Sequence, residues 1–357
     1  MTIMQYIHDM PAAEHRLLLI QKYSFGLLLC FALYSPLQLL GAESVVPQPE
    51  QNTSQAASSV SQTPSVLPLD TLDAPRNYLS GKLVSFANNI DHFFGNDRNY
   101  QESNQSVFQL DLTRVTGYGG DDKFDLAGRV NLRLPSTEGR LHLLLETNPE
   151  NNITTESTQG QTVLRNQVVA PASYALAARY ANAVQDIWHF SMDSGVKFRG
   201  ITKDPNPFVR SRGSYSAPLG KWRMKAAETV FWFKTIGAGE SSQLDFEHFI
   251  NEPTLFRATT NATWLNDKQN FDLRQDLSIY NTVNDSTALL YQASVVGVSN
   301  PQYQVSEYVL LLNYRYRVHR DWLFFELSPQ LHFPKTENFQ SKSSLMMRLE
   351  MLFDGSR

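Results

Sequence analysis

Cysteine is almost missing from this chain: Cys30 stands alone among 357 residues. Neither an intramolecular disulfide nor a thiolate zinc cluster can form. Blocks of Lys or Arg are missing too, and the formal net charge is only −4. That balance argues against a nucleic-acid partner. After residue 42 no apolar run reaches the roughly 18 residues of a helical membrane span. The zinc-protease pattern H-E-x-x-H, the P-loop and G-x-S-x-G are all absent. No metal, cofactor or catalytic residue is therefore assigned, and an enzymatic role is the less favoured reading.

What the chain does have is dispersed apolar character. Hydrophobic residues make up 42% and aromatics 11%, yet the mean hydropathy is −0.33. Such a combination arises when apolar and polar residues alternate along the chain.

The N-terminal third is organised differently. Tyr23 to Ala42, YSFGLLLCFALYSPLQLLGA, is uncharged, follows Arg16 and Lys22, and ends on Gly41-Ala42. Residues 1–42 read as a secretory signal peptide; an uncleaved anchor is the competing reading. A lipoprotein reading of Cys30 fits less well, because bulky Leu27 to Leu29 precede it where small residues are needed. Residues 43–75 are rich in Gln, Ser, Thr and Pro and hold no aromatics or bases. They cannot bury enough apolar area to offset ordering entropy and read as a disordered linker. Over 76–95, Leu79, Leu83, Phe86, Ile90 and Phe93 recur at helical spacing, which predicts a short amphipathic periplasmic helix. It would pack against the main domain, at its mouth or on a membrane surface.

From 106 to 353 the period switches to two. In KFDLAGRVNLRLP, Phe124, Leu126, Gly128, Val130, Leu132 and Leu134 share one face, and Asp125, Ala127, Arg129, Asn131 and Arg133 the other. PSTEGR then turns the chain into RLHLLLE, a hairpin by pattern. The same alternation predicts about 14 strands, with 12–16 plausible: 106–116, 122–134, 139–147, 172–181, 186–199, 206–217, 220–234, 240–250, 254–264, 271–281, 286–298, 303–317, 321–333 and 343–353. Many exceed the 5–6 residues usual in soluble sheets and match the roughly 9–11 that cross a bilayer at a tilt.

Both signs of charge occupy the polar phases, while Tyr308, Leu310, Leu312, Tyr314 and Tyr316 and then Leu323, Phe325 and Leu327 occupy the opposite ones. A secreted chain with lipid-compatible faces and no helical span predicts an all-β fold, a transmembrane antiparallel up-and-down β-barrel, because closure alone satisfies every backbone group in hydrocarbon. A soluble β-sandwich is the alternative. The expected lumen-lining residues are Arg129, Arg133, Asp193, Arg315, Arg317, Glu326, Arg348 and Glu350. Basic residues fall in pairs on single phases: Arg129 with Arg133, Lys197 with Arg199, Arg210 with Arg212, Arg223 with Lys225, and Arg315 with Arg317. They could line an anion path, or pair with acids across strands and stiffen the interior. His189, Ser191 and Asp193 also share a face, but a spacing of about 7 Å is too long for a proton relay. Asp245 and Glu247 in DFEHF fall short of a calcium ligand set.

The last strand carries a resemblance. In SLMMRLEMLF, Leu345, Met347, Leu349, Met351 and Phe353 alternate with polar or charged residues. The stretch resembles the C-terminal strand signal of Gram-negative outer-membrane barrels, which implies recognition by the barrel assembly machinery. NYRYRVHRDWLFFELSPQLHFP, with DHFFG near residue 91, also resembles an uncharacterised proteobacterial group of outer-membrane proteins. Together these readings predict a bacterial outer-membrane barrel in contact with lipid, acting as a narrow pore for small solutes. The alternatives are a structural or assembly barrel holding a periplasmic partner through its N-terminal segment and, less favoured, a lipid-modifying outer-membrane enzyme.

Overall fold

The computed structural model describes Phe93 and residues 106–118, 120–134, 140–153, 173–184, 187–199, 205–319 and 322–354. The signal segment over 1–42 and the linker over 43–75 lie outside the described residues. So does the helix expected over 76–95, apart from Phe93, which is helical.

Fourteen strands follow one another: β1 (Val107–Gly117), β2 (Gly120–Arg133), β3 (Leu141–Thr147), β4 (Ser173–Val184), β5 (Trp188–Arg199), β6 (Asn206–Leu219), β7 (Trp222–Phe233), β8 (Gly237–Asn251), β9 (Thr254–Leu265), β10 (Asn270–Asn284), β11 (Thr287–Val298), β12 (Gln304–His319), β13 (Leu323–Pro334) and β14 (Lys342–Asp354). Each pairs antiparallel with its sequence neighbours, and β1 pairs with β14, so the sheet closes on itself. A 12-residue strand such as β7 rises roughly 40 Å along its own axis, and a tilt of about 40° turns that into roughly 30 Å of height. That height matches a hydrocarbon core.

Every expected strand is present. The largest shifts in bounds are three residues each, at the end of β4, the start of β8 and the end of β10. β4 runs on to Val184 through ANAV, because β5 offers partners as far as Trp188. β8 starts at Gly237 rather than near residue 240, because Ala238 and Gly239 pair with Trp232 and Phe231. A Cβ on Gly239 would sit 2.4 Å from Phe231 Cζ, so the ring occupies the space a side chain would need there.

The connections fall at two ends. Residues 134–140, 185–187, 220–221, 252–253, 285–286 and 320–322 turn the chain at what we term the turn end, where β1 begins and β14 finishes. Residues 118–119, 148–172, 200–205, 234–236, 266–269, 299–303 and 335–341 connect strands at the opposite, loop end.

The outward phase is apolar and exposed, as at Leu126, Leu143, Leu176, Leu277, Tyr291 and Leu310. Aromatic rings gather at its edges. At the turn end Trp188 packs on Tyr215 (4.6 Å between centroids), Trp222 on His248 (4.6 Å) and Trp322 on Phe353 (5.2 Å). At the loop end Tyr308 meets Phe339 (5.6 Å). Among the described side chains, the outward charges are Arg114, Glu228 and Glu240. Arg114 lies over the Phe124 ring at 5.4 Å, and Ser242 donates a hydrogen bond to Glu228. At the closing seam Phe108 faces Phe353 across β1 and β14, with centroids 5.9 Å apart.

Candidate functional site: the barrel lumen

About eight strands enclose little more than side chains, and 16 to 18 leave an aqueous channel. Fourteen sit between, so the inward side chains decide what space remains. The register places Arg129, Arg133, Asp193, Arg315, Arg317, Glu326, Arg348 and Glu350 on that inward phase. They do not form one site.

Four of them meet. Arg315 on β12 reaches Glu326 on β13 in a short contact, and donates to Glu350 on β14 at 2.9 and 3.0 Å. Arg348 donates to Glu326 at 2.7 Å and lies 3.3 Å from Glu350. Arg315, Glu326 and Glu350 are fully buried, and the Arg315 guanidinium stacks 4.2 Å above the Phe324 ring. The strands bring them together because Arg315 pairs with Glu326, Glu326 with Arg348, and Phe324 with Glu350 in the ladder.

Asp193 belongs to a second cluster on β3 to β6. Arg179 grips it with two bonds (2.6 and 2.9 Å), and Arg210 adds 2.9 and 2.6 Å. Arg210 also reaches Glu146 at 3.4 Å. Arg129 faces Glu146 across β2 and β3 and is half-buried, whereas Arg133 is exposed at the turn end. A third cluster was not expected: Glu247 accepts from Arg223 at 2.5 Å and from Arg257 at 2.8 Å. Its neighbour Asp245 accepts from Thr259 and Gln243. No group of three potential metal-ligating side chains occurs among the described residues.

Two apolar patches bound this polar belt. Near the loop end, Leu144, Ala175, Ala177, Phe208, Phe231 and Phe233 pack around Ile153. Ile153 gets there because the chain leaves β3 through left-handed Asn148 into a 3-10 turn, Pro149–Asn152. Glu150 of that turn binds Lys197 at 2.5 Å, and the Pro149 carbonyl accepts from Arg210 at 3.2 Å. The start of this connection thus folds into the lumen instead of over the rim.

Toward the turn end, Leu255, Tyr280, Ala288, Leu290 and Leu311 form the second patch, with Phe93 packed against it. Phe93 meets Phe324 edge-on at 5.8 Å, and Arg317 approaches its ring at 5.5 Å. A residue 14 positions before Val107 thus reaches the inward-facing belt.

A smaller cluster lies nearer the loop end, where Glu307, His332 and Ser344 meet. His332 Nδ1 is 2.9 Å from Glu307 Oε1, and Nε2 is 3.1 Å from Ser344 Oγ. Tyr118, in the turn after β1, holds its ring 5.2 Å from the imidazole. Burial, and then the carboxylates of Glu307 and Glu337, push the Tyr118 phenol above its ordinary range.

Alternation along the chain puts Glu307 in phase with Arg315 and His332 in phase with Glu326. It could not put them with Ser344, because that needs the pairing of three strands. The spacing of Phe93 fits one face of a helix, and nothing in it marks a contact with the lumen.

A closed antiparallel ring with an apolar band outside, aromatic rims and buried charge inside is a membrane-spanning β-barrel, with lipid around its outer face. No protein-family model matches the chain, and no curated protein does. Among solved structures, the fold is similar to the porin NanC (9% identity, 68% of this chain and 98% of that one, TM-score 0.36). It is also similar to the Vibrio cholerae outer-membrane protein OmpT with loop L8 deleted (12%, 70% and 98%, TM-score 0.41) and the Acinetobacter baumannii outer-membrane channel DcaP (8%, 70% and 96%, TM-score 0.39). The architecture itself rests on the closed ladder of this chain.

Proposed function

We propose that this protein is a bacterial outer-membrane barrel that passes small solutes through a narrow lumen. One observation carries the reading: the fourteen-strand ring turns charge of both signs inward and an apolar band outward. A wall of that kind serves no purpose in a soluble core, where the apolar face would be covered. The short connections of the turn end suit the periplasmic side and the longer ones the outside. Phe353 and the alternation before it fit recognition by the barrel assembly machinery, and residues 313–334 fit the proteobacterial group that they resemble.

The path proposed here would pass the three ion-pair clusters, with Ile153 and Phe93 as its candidate constrictions. Planar-bilayer recordings of the refolded full chain test this. Small conductance steps are expected, and Phe93→Ala is expected to enlarge them or raise the open fraction. A second reading, a structural or assembly barrel with a periplasmic partner, is favoured by the number of buried ion pairs that span the lumen wall. Silence from both the wild type and Phe93→Ala would select it over the pore.

A further inference from the structure

Ser344, His332 and Glu307 stand in the geometry of a nucleophile, a general base and the acid that orients the base. The carboxylate settles the tautomer. An ionised Glu307 can only accept, so His332 Nδ1 carries the proton and donates across 2.9 Å. Nε2 of the neutral ring is then a lone pair, and it accepts from the Ser344 hydroxyl at 3.1 Å. Both contacts lie in the range required for a serine nucleophile and its base.

The fold builds this arrangement from three adjacent strands. Glu307 is on β12, His332 on β13 and Ser344 on β14, all on the inward phase; His332 pairs with Val309, and Gln330 with Ser344. Each lies within four residues of its strand's loop-end terminus. His332 and Ser344 are buried, whereas the Glu307 side chain is 27% exposed. On the other side of Ser344, β1 presents Gly117, which has a φ of +88° and a Cα partner in Ser344. A side chain there would collide with the Ser343 carbonyl at 2.5 Å, so the backbone over the serine stays bare. Tyr118 follows directly. Its ring lies 5.2 Å from the imidazole.

We propose that Ser344 and His332, with Glu307 as positioning residue, hydrolyse carboxylic esters of small acyl groups that enter the lumen from the loop end. Ser344 Oγ attacks the ester carbonyl as its proton passes to His332 Nε2. The alcohol's C–O bond breaks, and His332 returns the proton to the departing alkoxide. Water then attacks the acyl-serine and gives one proton to His332. The Oγ–C bond breaks, the carboxylic acid leaves, and the proton returns to Oγ. The reaction consumes one ester and one water and yields one acid and one alcohol.

The test uses the refolded full chain with p-nitrophenyl acetate and, separately, a fluorophosphonate probe followed by peptide mass spectrometry. The probe is expected on Ser344 in the folded barrel and nowhere after Ser344→Ala. Hydrolysis should drop by about a hundredfold or more in Ser344→Ala and in His332→Asn, in line with the usual contribution of a general base. Glu307→Gln should lower kcat with KM unchanged, and Glu307→Asp should recover part of it; a merely structural carboxylate would not give that split. Ser343→Ala, whose side chain faces outward, should match the wild type. All variants are first shown to fold by unheated gel migration. Wild-type hydrolysis at the rate of folded Ser344→Ala, or a folded barrel that leaves Ser344 unlabelled, overturns the proposal.

Discussion

Arg315 touches two carboxylates and an aromatic face without touching water. Burying such a group is costly in desolvation, and removing one member of the cluster leaves its buried partners uncompensated. Arg315→Met leaves Glu326 and Glu350 sharing the charge of Arg348, with the Asn313 amide on Glu326. We expect a loss of about 3–5 kcal/mol in urea unfolding from lipid vesicles, against roughly 0.5 kcal/mol or less for exposed Arg133→Met. Equal effects would show that the cluster is not a unit. The outward Glu228 gives the opposite sign. It faces lipid near the middle of β7, held by Ser242. Acids on the lipid face cost less than bases but still cost, so Glu228→Leu should stabilise the barrel by about 1–2 kcal/mol in the same assay. A loss of stability there would mean that the carboxylate has a partner in the membrane.

The elements were largely legible because their reason is local. Alternation at period two, sustained for 11 to 16 residues in most of the strands, fixes which phase of each strand is apolar. Their ends were less legible where Gly and Ala sit, as at β4 and β8. Small residues signal a turn in isolation but pair readily once a neighbouring strand offers its ladder. Gly195 on β5 is the sharpest case: a Cβ would sit 2.4 Å from the Leu176 carbonyl and 2.5 Å from Ala177 Cβ. Gly195→Val is therefore expected to wedge β4 from β5. Less of the heat-modifiable, fast-migrating form should survive in detergent than for Gly213→Val, where a Cβ meets nothing within 4 Å. Matching gels for the two variants would refute the close contact.

At the scale of the whole molecule, closure turns fourteen marginal ribbons into one object with an inside. The seam between β1 and β14 runs for eleven paired residues, from Val107 with Asp354 to Gly117 with Ser344. An introduced charge should be tolerated on the inner side of that seam and not on the outer. Leu349→Arg is expected to reduce folded yield in lipid vesicles, while Thr113→Glu, opposite Arg348 on the inner side of the seam, should leave closure intact and change conductance instead. If both variants fold equally well, the outer face of the seam does not meet hydrocarbon.

The sequence by itself determined the two-faced wall and brought the strand count to about fourteen, because backbone satisfaction in lipid leaves few solutions and period two records the face of every residue. It also placed Arg348 and Glu350 opposite Leu349 and Met351. Only the tertiary structure decided which side chains meet inside. Which acid meets which base depends on the stagger between strands, and stagger leaves no trace in the period. Phe93 enters the belt from outside the strand pattern, and Ile153 from a loop. Ser344, His332 and Glu307 are separated by 37 residues from first to last in the chain and touch only because three strands align. Hydrophobic pattern is a property of one strand; a site inside a barrel is a property of register between strands.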